Sequence, residues 1–338
     1  MAKNGKPEVV IITGASAGVG RAVARRFAKD GARIALIARG RDKLESTARE
    51  VEELGGEALV LPCDVADHEA VDAAAEEAED RFGPIDIWIN VAFAGVMARF
   101  IDITPEDYKR ATEVTYLGQT NGARAALKRM LPRDRGHIVL TGSALAYRGI
   151  PLQSPYCGAK HAIQGFQDSL RSELFHAKSR VHVAMVQLPG VNTPQFDWMK
   201  TDMPCKLKPA SPPYQPEVAA EAIHFAAHHR RKQIMVGGST VMAIWGDRLA
   251  SGLLDRYLGA TGFAGQQADE PIEPGRPNNL WEPVDRDYGA HGRFDAVSRT
   301  ASFQLWANLH RGLTAAGVGL LAAAGAGACA LTRRRKAA

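Results

Sequence analysis

The feature that most constrains the fold of this chain is a regular alternation of short β-branched runs with longer amphipathic stretches between residues 9 and 237. Residues 34–37 and 181–186 are apolar along almost their whole length, as strands covered on both faces must be. The alternation predicts a doubly wound parallel α/β sheet of seven strands over residues 1–238. The strand candidates begin near Val9, Arg33, Ala58, Ile85, His137, Arg180 and Gln233.

The C-terminal third of the chain has a different pattern. Residues 239–312 are predicted to form a partly irregular extension, in which residues 260–300, rich in Gly, Pro, Asp and Asn, form either an ordered wrap or a loose linker. Residues 313–331 carry no formal charge and would span about 28 Å as a helix, enough to cross a hydrocarbon core. Since 12 of these 19 residues are Ala or Gly, a helix packed on a partner or lying at the membrane surface is the alternative.

Composition limits the classes of protein that the chain can belong to. At 338 residues and 46% hydrophobic content it can bury a large core, so it is not a disordered chain. The four cysteines are scattered without metal-ligand spacing, which predicts no metal site and a reducing compartment. Residues 333–336 supply four of the five net positive charges, so we expect no nucleic-acid partner. Because the N-terminus lacks a signal-peptide core, we expect a cytoplasmic body, with possible membrane contact through residues 313–336.

The first strand candidate runs directly into a glycine-rich loop, residues 13–20, and then into a helical stretch. Glycines allow the backbone to approach a pyrophosphate closely, and the helix N-terminus offers free N–H groups to it. Such a loop is typical of a dinucleotide-binding Rossmann fold.

The end of the second strand candidate indicates the cofactor. Arg39 lies where NAD-binding folds usually have an acid for the ribose hydroxyls, and a guanidinium can pair with a 2′-phosphate. The sequence therefore favours NADP(H), although the nearby Asp42 could still play the role of the acid and leave Arg39 as a solvated charge.

Three residues form a candidate catalytic group. Tyr156 and Lys160 are four apart in a helical stretch opened by Pro155, so their side chains share one face. Ser143 ends the fifth strand candidate, at the carboxyl edge of the sheet where ligands bind. We expect the Lys160 ammonium to favour the Tyr156 phenolate, Ser143 to hold a carbonyl oxygen, and Tyr156 to transfer a proton as general acid or base.

Over roughly residues 6–238 these motifs resemble the short-chain dehydrogenase/reductase family. Residues 13–20 fit the family's TGxxxGxG loop, and Ser143, Tyr156 and Lys160 fit its catalytic triad. The resemblance implies an NADP(H)-dependent oxidoreductase that transfers a hydride between the nicotinamide and a carbonyl or alcohol. It implies that Asp64 contacts adenine, that Thr193 holds the nicotinamide carboxamide and that Val191 packs beside it. The cofactor-binding residues predicted on both grounds are Gly14, Ser16, Gly18, Val19, Gly20, Arg39, Asp64, Val65, Asn90, Ala92, Tyr156, Lys160, Pro189, Gly190, Val191 and Thr193.

Two positions depart from the family pattern. After the fourth strand the family usually reads Asn-Asn-Ala-Gly, whereas residues 90–93 keep only Asn90 and Ala92 of that motif. Thr115 lies where the family has an asparagine that helps to hold a proton-relay water. We expect Asn90 to contact the cofactor and Thr115 to hold that water through a shorter side chain.

The substrate is predicted to be a small, apolar carbonyl or alcohol bound by a homo-oligomer. The wall of its pocket is expected to include Leu145, Tyr147, Phe196, Trp198 and Met199, unless these side chains pack on the protein body. Two other functions remain open: a non-catalytic NADP(H)-binding sensor or scaffold at a membrane, and an epimerase or dehydratase that uses the same tyrosine.

Overall fold

A computed structural model describes residues 6–210, 212–317 and 319 of the chain. Its centre is a sheet of seven strands: β1 (Val9–Thr13), β2 (Arg33–Ala38), β3 (Glu57–Pro62), β4 (Ile87–Asn90), β5 (His137–Ser143), β6 (His182–Leu188) and β7 (Gln233–Met235). The sheet is fully parallel, and its order is β7-β6-β5-β4-β1-β2-β3. The doubly wound fold predicted from the sequence is therefore confirmed.

Helices cover both faces of the sheet. The helices are α1 (Gly18–Ala28), α2 (Arg41–Glu53), α3 (His68–Phe82), α4 (Pro105–Thr112), α5 (Gly118–Met130), α6 (Ser154–His176), α7 (Gln195–Trp198), α8 (Pro216–His228), α9 (Gly238–Thr261) and α10 (Phe303–Leu309). One layer contains α1, α2 and α8, and the other contains α3, α5 and α6.

Adjacent residues of β1 point into different layers. Val10 and Ile12 point into the first layer, and Val9 and Ile11 point into the second, which explains why the strand is apolar throughout.

Local sequence sets several helix ends. The Asp67 carboxylate accepts hydrogen bonds from the amides of Glu69 and Ala70 at the start of α3. The Thr104 hydroxyl accepts from the amide of Asp107, one turn into α4. At the far end of α3, Gly83 has φ +88°, a conformation that side chains with a Cβ rarely adopt. These caps fix where each crossover connection returns to the sheet.

The helix α9 was not anticipated from the sequence. It is kinked at Ala250 and buries only Thr240 and Ile244, so its apolar residues form no single buried stripe that a periodicity could reveal. Met242 and Leu249 are among its exposed apolar side chains. Among the residues that the structure describes, no helix combines the length and hydropathy needed to cross a bilayer.

The remainder of the C-terminal region returns to the sheet. A short strand, Gln267–Pro271, pairs with Cys205–Leu207, and residues 278–292 then run back to the carboxyl edge of the parallel strands. Of the predicted membrane-contacting segment, residues 313–336, positions 318 and 320–336 lie outside the described residues.

Candidate active site

The glycine loop joins β1 to α1 in a conformation that requires glycine. Gly14 has φ +70° and Gly18 has φ +54°. A Cβ at Gly14 would lie 2.8 Å from the main chain of Ala92, and a Cβ at Gly20 would overlap the carbonyl oxygen of Gly14. The close-packed loop brings the start of α1 to the cleft at the carboxyl edge of the sheet, and the N-terminal amides of a helix are natural donors to a phosphate group.

That cleft, measured together with the solvent at its open mouth, has a volume of about 1340 Å³, and most of the predicted cofactor-binding residues line it. The predicted residues that line it are Gly14, Ser16, Gly18, Val19, Arg39, Asp64, Val65, Ala92, Tyr156, Lys160, Pro189, Val191 and Thr193. Gly20 lies behind the loop and acts through its close packing on Gly14. Within the described residues, no cluster of His, Cys, Asp and Glu could hold a metal ion.

Two of the candidate catalytic residues, Tyr156 and Lys160, line the cleft, and Ser143 lies beside Tyr156. Tyr156 and Lys160 come from the first two turns of α6, and the Lys160 Nζ lies 5.4 Å from the centre of the Tyr156 ring. This Nζ donates to the carbonyl oxygen of Thr141 at 2.7 Å, which holds the lysine against β5. Ser143 ends β5, and its hydroxyl accepts from the amide of Leu145 at 3.1 Å. The ring of Phe93 contacts the Tyr156 ring edge-on, with centroids 5.8 Å apart.

Burial dominates the electrostatics of this group. It raises the pKa of Tyr156 to about 12, and a hydrogen-bonding interaction with Ser143 opposes this only in part. Burial also lowers the pKa of Lys160 to about 7. The sequence predicted that the Lys160 ammonium favours the Tyr156 phenolate, whereas in this structure burial has the larger effect and raises the tyrosine pKa. Tyr156 is a protonated phenol at neutral pH, and so is suited to donate a proton to an oxygen that gains negative charge.

Two predicted residues contact the main chain or neighbouring side chains instead of the cleft. The Thr115 hydroxyl donates to the carbonyl oxygen of Ala94 at 2.6 Å and accepts from its amide at 3.0 Å, and Thr115 is fully buried. The Asn90 side chain points towards α5, where a Cβ at Gly122 would overlap its Oδ1, and that Oδ1 accepts from the Trp88 indole. Thr115 therefore shapes the turn at Ala94, and Asn90 is absent from the lining of the cleft.

Two further predicted residues, Arg39 and Asp64, are bonded to other parts of the protein. Arg39 donates to the carbonyl oxygens of Asn279 and Trp281, the latter at 2.6 Å. Asp64, the expected adenine contact, forms an ion pair with Arg110 and accepts from the amide of Ala66 at 3.0 Å. Both side chains still line the cleft, but each already has protein partners that the sequence did not indicate.

Sequence reasoning also missed residues that support the site. The Thr13 hydroxyl accepts from the amides of Val91 and Ala92 at 3.1 and 3.3 Å, which ties the glycine loop to the end of β4. Thr13 was visible as the first residue of the TGxxxGxG motif. Asn192, next to Thr193, donates to Asp295 at 2.8 Å, a contact across 103 residues for which the sequence carries no signal.

The expected apolar wall divides into two groups. Trp198 lines the cleft and meets the Tyr288 ring edge-on at 5.0 Å. Phe196 and Met199 are instead buried in a separate small core beneath it. The Tyr147 hydroxyl is bonded to Gln164 at 3.1 Å, on the protein body. Trp198 is therefore the member of the set placed to contact a ligand.

Comparisons with known proteins agree with this geometry. The family model described as short chain dehydrogenase matches residues 8–203. An uncharacterized oxidoreductase of Bacillus subtilis, YxnA, is 32% identical over 292 residues, which cover 85% of this chain and 81% of that protein. A fatty acyl-CoA reductase of Acinetobacter baylyi is 29% identical over 234 residues, 69% of this chain and 77% of that protein. A solved metagenomic short-chain oxidoreductase in complex with NADP superposes with a TM-score of 0.57 at 26% identity, covering 68% of this chain and 96% of that one.

Proposed function

This chain belongs to the short-chain dehydrogenase family, and we propose that it is an NADP(H)-dependent oxidoreductase that interconverts a carbonyl and an alcohol, with Tyr156 as the proton donor or acceptor. One observation carries the proposal: Tyr156 and Lys160 line the same cleft as the glycine loop, and Ser143 lies within hydrogen-bonding reach of Tyr156. The residues present fit the cofactor, because the glycine loop brings the start of α1, whose N-terminal amides are natural donors to phosphates, to the cleft.

Each catalytic side chain has a distinct task in this proposal. Bound NADPH would supply the hydride that reduces the carbonyl carbon. The Ser143 hydroxyl donates to the carbonyl oxygen, and the Tyr156 phenol gives that oxygen its proton. With its pKa raised to about 12, Tyr156 is protonated at neutral pH and can act as the proton donor in reduction. Lys160, held by Thr141, provides positive charge close to the tyrosine ring when it is protonated.

NADP(H) is preferred over NAD(H) in this proposal because the adenosine end of the cleft is basic. Arg39 and Lys43 both line it, and a 2′-phosphate would be drawn to them. The metagenomic short-chain oxidoreductase with the similar fold was solved in complex with NADP, which supports the same choice. Asp42 is absent from the cleft lining, which weakens the alternative that it serves the ribose hydroxyls of NAD(H).

We propose an apolar aldehyde or ketone as the substrate class. Phe93 and Trp198 both line the cleft, and the Phe93 ring lies against the Tyr156 ring, where it offers an apolar surface next to the reacting oxygen. The relative named as a fatty acyl-CoA reductase is consistent with an extended apolar substrate.

A carbonyl panel tests the proposed reaction. Purified protein with NADPH would be offered aldehydes and ketones of increasing chain length, and consumption of NADPH would be followed by its absorbance. Tyr156→Phe keeps the ring that packs against Phe93 but removes the transferable proton, so we expect a loss of turnover of at least about 100-fold with NADPH binding retained. Turnover near the wild-type level in this variant would contradict the mechanism.

A second function is favoured by one observation. The Thr115 hydroxyl is bonded to the main chain of Ala94, so the position where the family holds a proton-relay water is altered. A non-catalytic NADP(H)-binding sensor or scaffold at a membrane fits that change. Cofactor binding without turnover across the whole panel would favour the sensor. We further propose that the protein is cytoplasmic and contacts a membrane through residues 313–336. We also propose a homo-oligomeric assembly, which sedimentation velocity tests.

A further inference from the structure

A C-terminal segment lies along the adenosine end of the cleft, and we name residues 278–289 the cleft strap. Asn279, Pro283, Val284 and Tyr288 of the strap form part of the cleft lining. The strap therefore borders the space in which the proposed cofactor would place its adenosine and phosphate groups.

Main-chain carbonyl oxygens of the strap accept hydrogen bonds from the basic side chains at the adenosine end of the cleft. Arg39 donates to the carbonyl oxygens of Asn279 and Trp281, and Lys43 donates to that of Val284. Carbonyl oxygens are acceptors, as phosphate oxygens are, so the strap offers these cations the same kind of partner that a 2′-phosphate would.

The strap also meets the glycine loop. The amide of Gly18, the first residue of α1, donates to the carbonyl oxygen of Gly289 at 3.1 Å. Asp287 holds this end of the strap in place, because its Oδ1 accepts from Arg21 at 2.6 Å and from the amide of Gly289 at 3.0 Å. The amide at the start of α1 is a natural donor to a pyrophosphate, and the strap carbonyl already accepts from it.

Side chains anchor the other end of the strap. Leu280 is fully buried, and its carbonyl oxygen accepts from the Arg110 Nε at 3.1 Å. The Trp281 indole donates to Asp107 at 2.9 Å, and the Arg110 guanidinium lies 5.7 Å from its ring centre. Trp281 thus stabilises the docked strap without itself donating to or accepting from Arg39 through its side chain.

We infer that the cleft strap is an intramolecular competitor for the phosphate groups of NADP(H). It occupies the Arg39 and Lys43 donors and the Gly18 amide, so a cofactor that uses these groups must first displace it. The inference rests on the proposed function, and it adds a determinant of cofactor affinity that lies about 240 residues from Arg39 along the chain. The apparent affinity is then the intrinsic affinity multiplied by the fraction of molecules whose strap is open.

Trp281→Ala tests this inference, because it loosens the strap and leaves all three donors in place. Its matched control is Trp306→Ala, since Trp281 and Trp306 are 49% and 46% exposed and Trp306 is absent from the cleft lining. The dissociation constants of NADPH and of adenosine 2′,5′-bisphosphate would be measured by calorimetry. Because weakening one anchor raises the open fraction, we expect both constants to fall by about three- to tenfold in Trp281→Ala and to stay unchanged in the control.

Hydrogen exchange of the strap gives a readout that is independent of activity. Adenosine 2′,5′-bisphosphate should increase exchange at the amides of residues 279–289 in the wild-type protein, because the ligand frees the strap. Nicotinamide mononucleotide, which lacks the adenosine end, should change this exchange much less. Circular dichroism would establish that Trp281→Ala is folded, and Asp287→Asn, which weakens the opposite end of the strap, is a second variant expected to bind more tightly.

The outcomes separate the strap from the proposed function. Equal or weaker binding in both strap variants, or protection of the strap by the bisphosphate, would show that the strap is a wall of the site and not a competitor. If NADPH is turned over by the wild-type protein in that case, only the strap inference fails. If neither wild type nor strap variants bind NADPH, the proposed function fails and competition fails with it.

Discussion

Replacing Lys160 by methionine should stabilise the cofactor-free protein, because the lysine is kept in its buried position at a cost in folding free energy. Burial lowers its pKa from 10.5 to about 7 in the folded protein. At about 1.4 kcal/mol per pH unit, this corresponds to about 5 kcal/mol for burying the protonated ammonium. The Lys160→Met variant loses the hydrogen bond to Thr141, worth about 1.5–3 kcal/mol, although Gln119 still donates to that carbonyl. A net gain of about 2–3.5 kcal/mol is therefore expected at pH 6.

The pH dependence of this difference is the sharper part of the prediction. Between pH 7 and pH 10.5 the unfolded chain binds the Lys160 proton and the folded chain does not, so the stability of the wild-type protein rises with pH over that range relative to the variant. The advantage of Lys160→Met should shrink by about 3 kcal/mol between pH 6 and pH 9. Below pH 7 both states are protonated, and the difference should be constant.

Urea denaturation followed by circular dichroism at pH 6 and pH 9 measures both quantities. Lys128→Met is the matched control, because the Lys128 Nζ pairs with Asp72 at 2.8 Å on the exposed surface of α5. Its effect should stay below about 1 kcal/mol at either pH. A Lys160→Met variant that is less stable than wild type at pH 6, or whose effect does not vary with pH, would refute the claim that the ammonium is held desolvated.

Three other predictions follow from the described contacts and the tail. Gly122→Ala should lower the free energy of unfolding by about 1–2 kcal/mol, because its Cβ would overlap the Asn90 amide. Gly165→Ala has open space around its Cβ and should raise the free energy of unfolding by up to about 1 kcal/mol. Urea denaturation would show the opposite signs, and a stabilised Gly122→Ala variant would contradict the packing. Arg39→Ala should weaken NADPH binding about tenfold to 100-fold while changing NADH binding little. We expect a loss of NADPH affinity near the lower end of that range, because the variant also frees the cleft strap. Equal wild-type affinities for the two cofactors would overturn the preference. Cells that express a version ending at Arg311 should release it into the soluble fraction more completely than the full chain, and equal solubility would mean that the tail is no anchor.

The parts of this protein that could be read from the sequence are those encoded by residues close together in the chain. The run of apolar residues in β2 and the acidic cap at Asp67 each depend on fewer than ten neighbouring positions, and the structure forms both. The glycine loop was recognisable for the same reason, since its strand-loop-helix context is local. The spacing of Tyr156 and Lys160 also sufficed to place them on one face of a helix.

Tertiary structure decided what distant segments do to those local elements. The pKa of Tyr156 is raised because the whole cleft buries it, a property of the packed molecule that a neighbouring lysine in the sequence could not reveal. The partners of Arg39 come from about 240 residues away, in a stretch whose Gly- and Pro-rich composition permits either a wrap or a linker. Local patterns set secondary structure because its hydrogen bonds are short-range in sequence, whereas the charge states and ligand contacts of the site depend on which side chains the fold brings together.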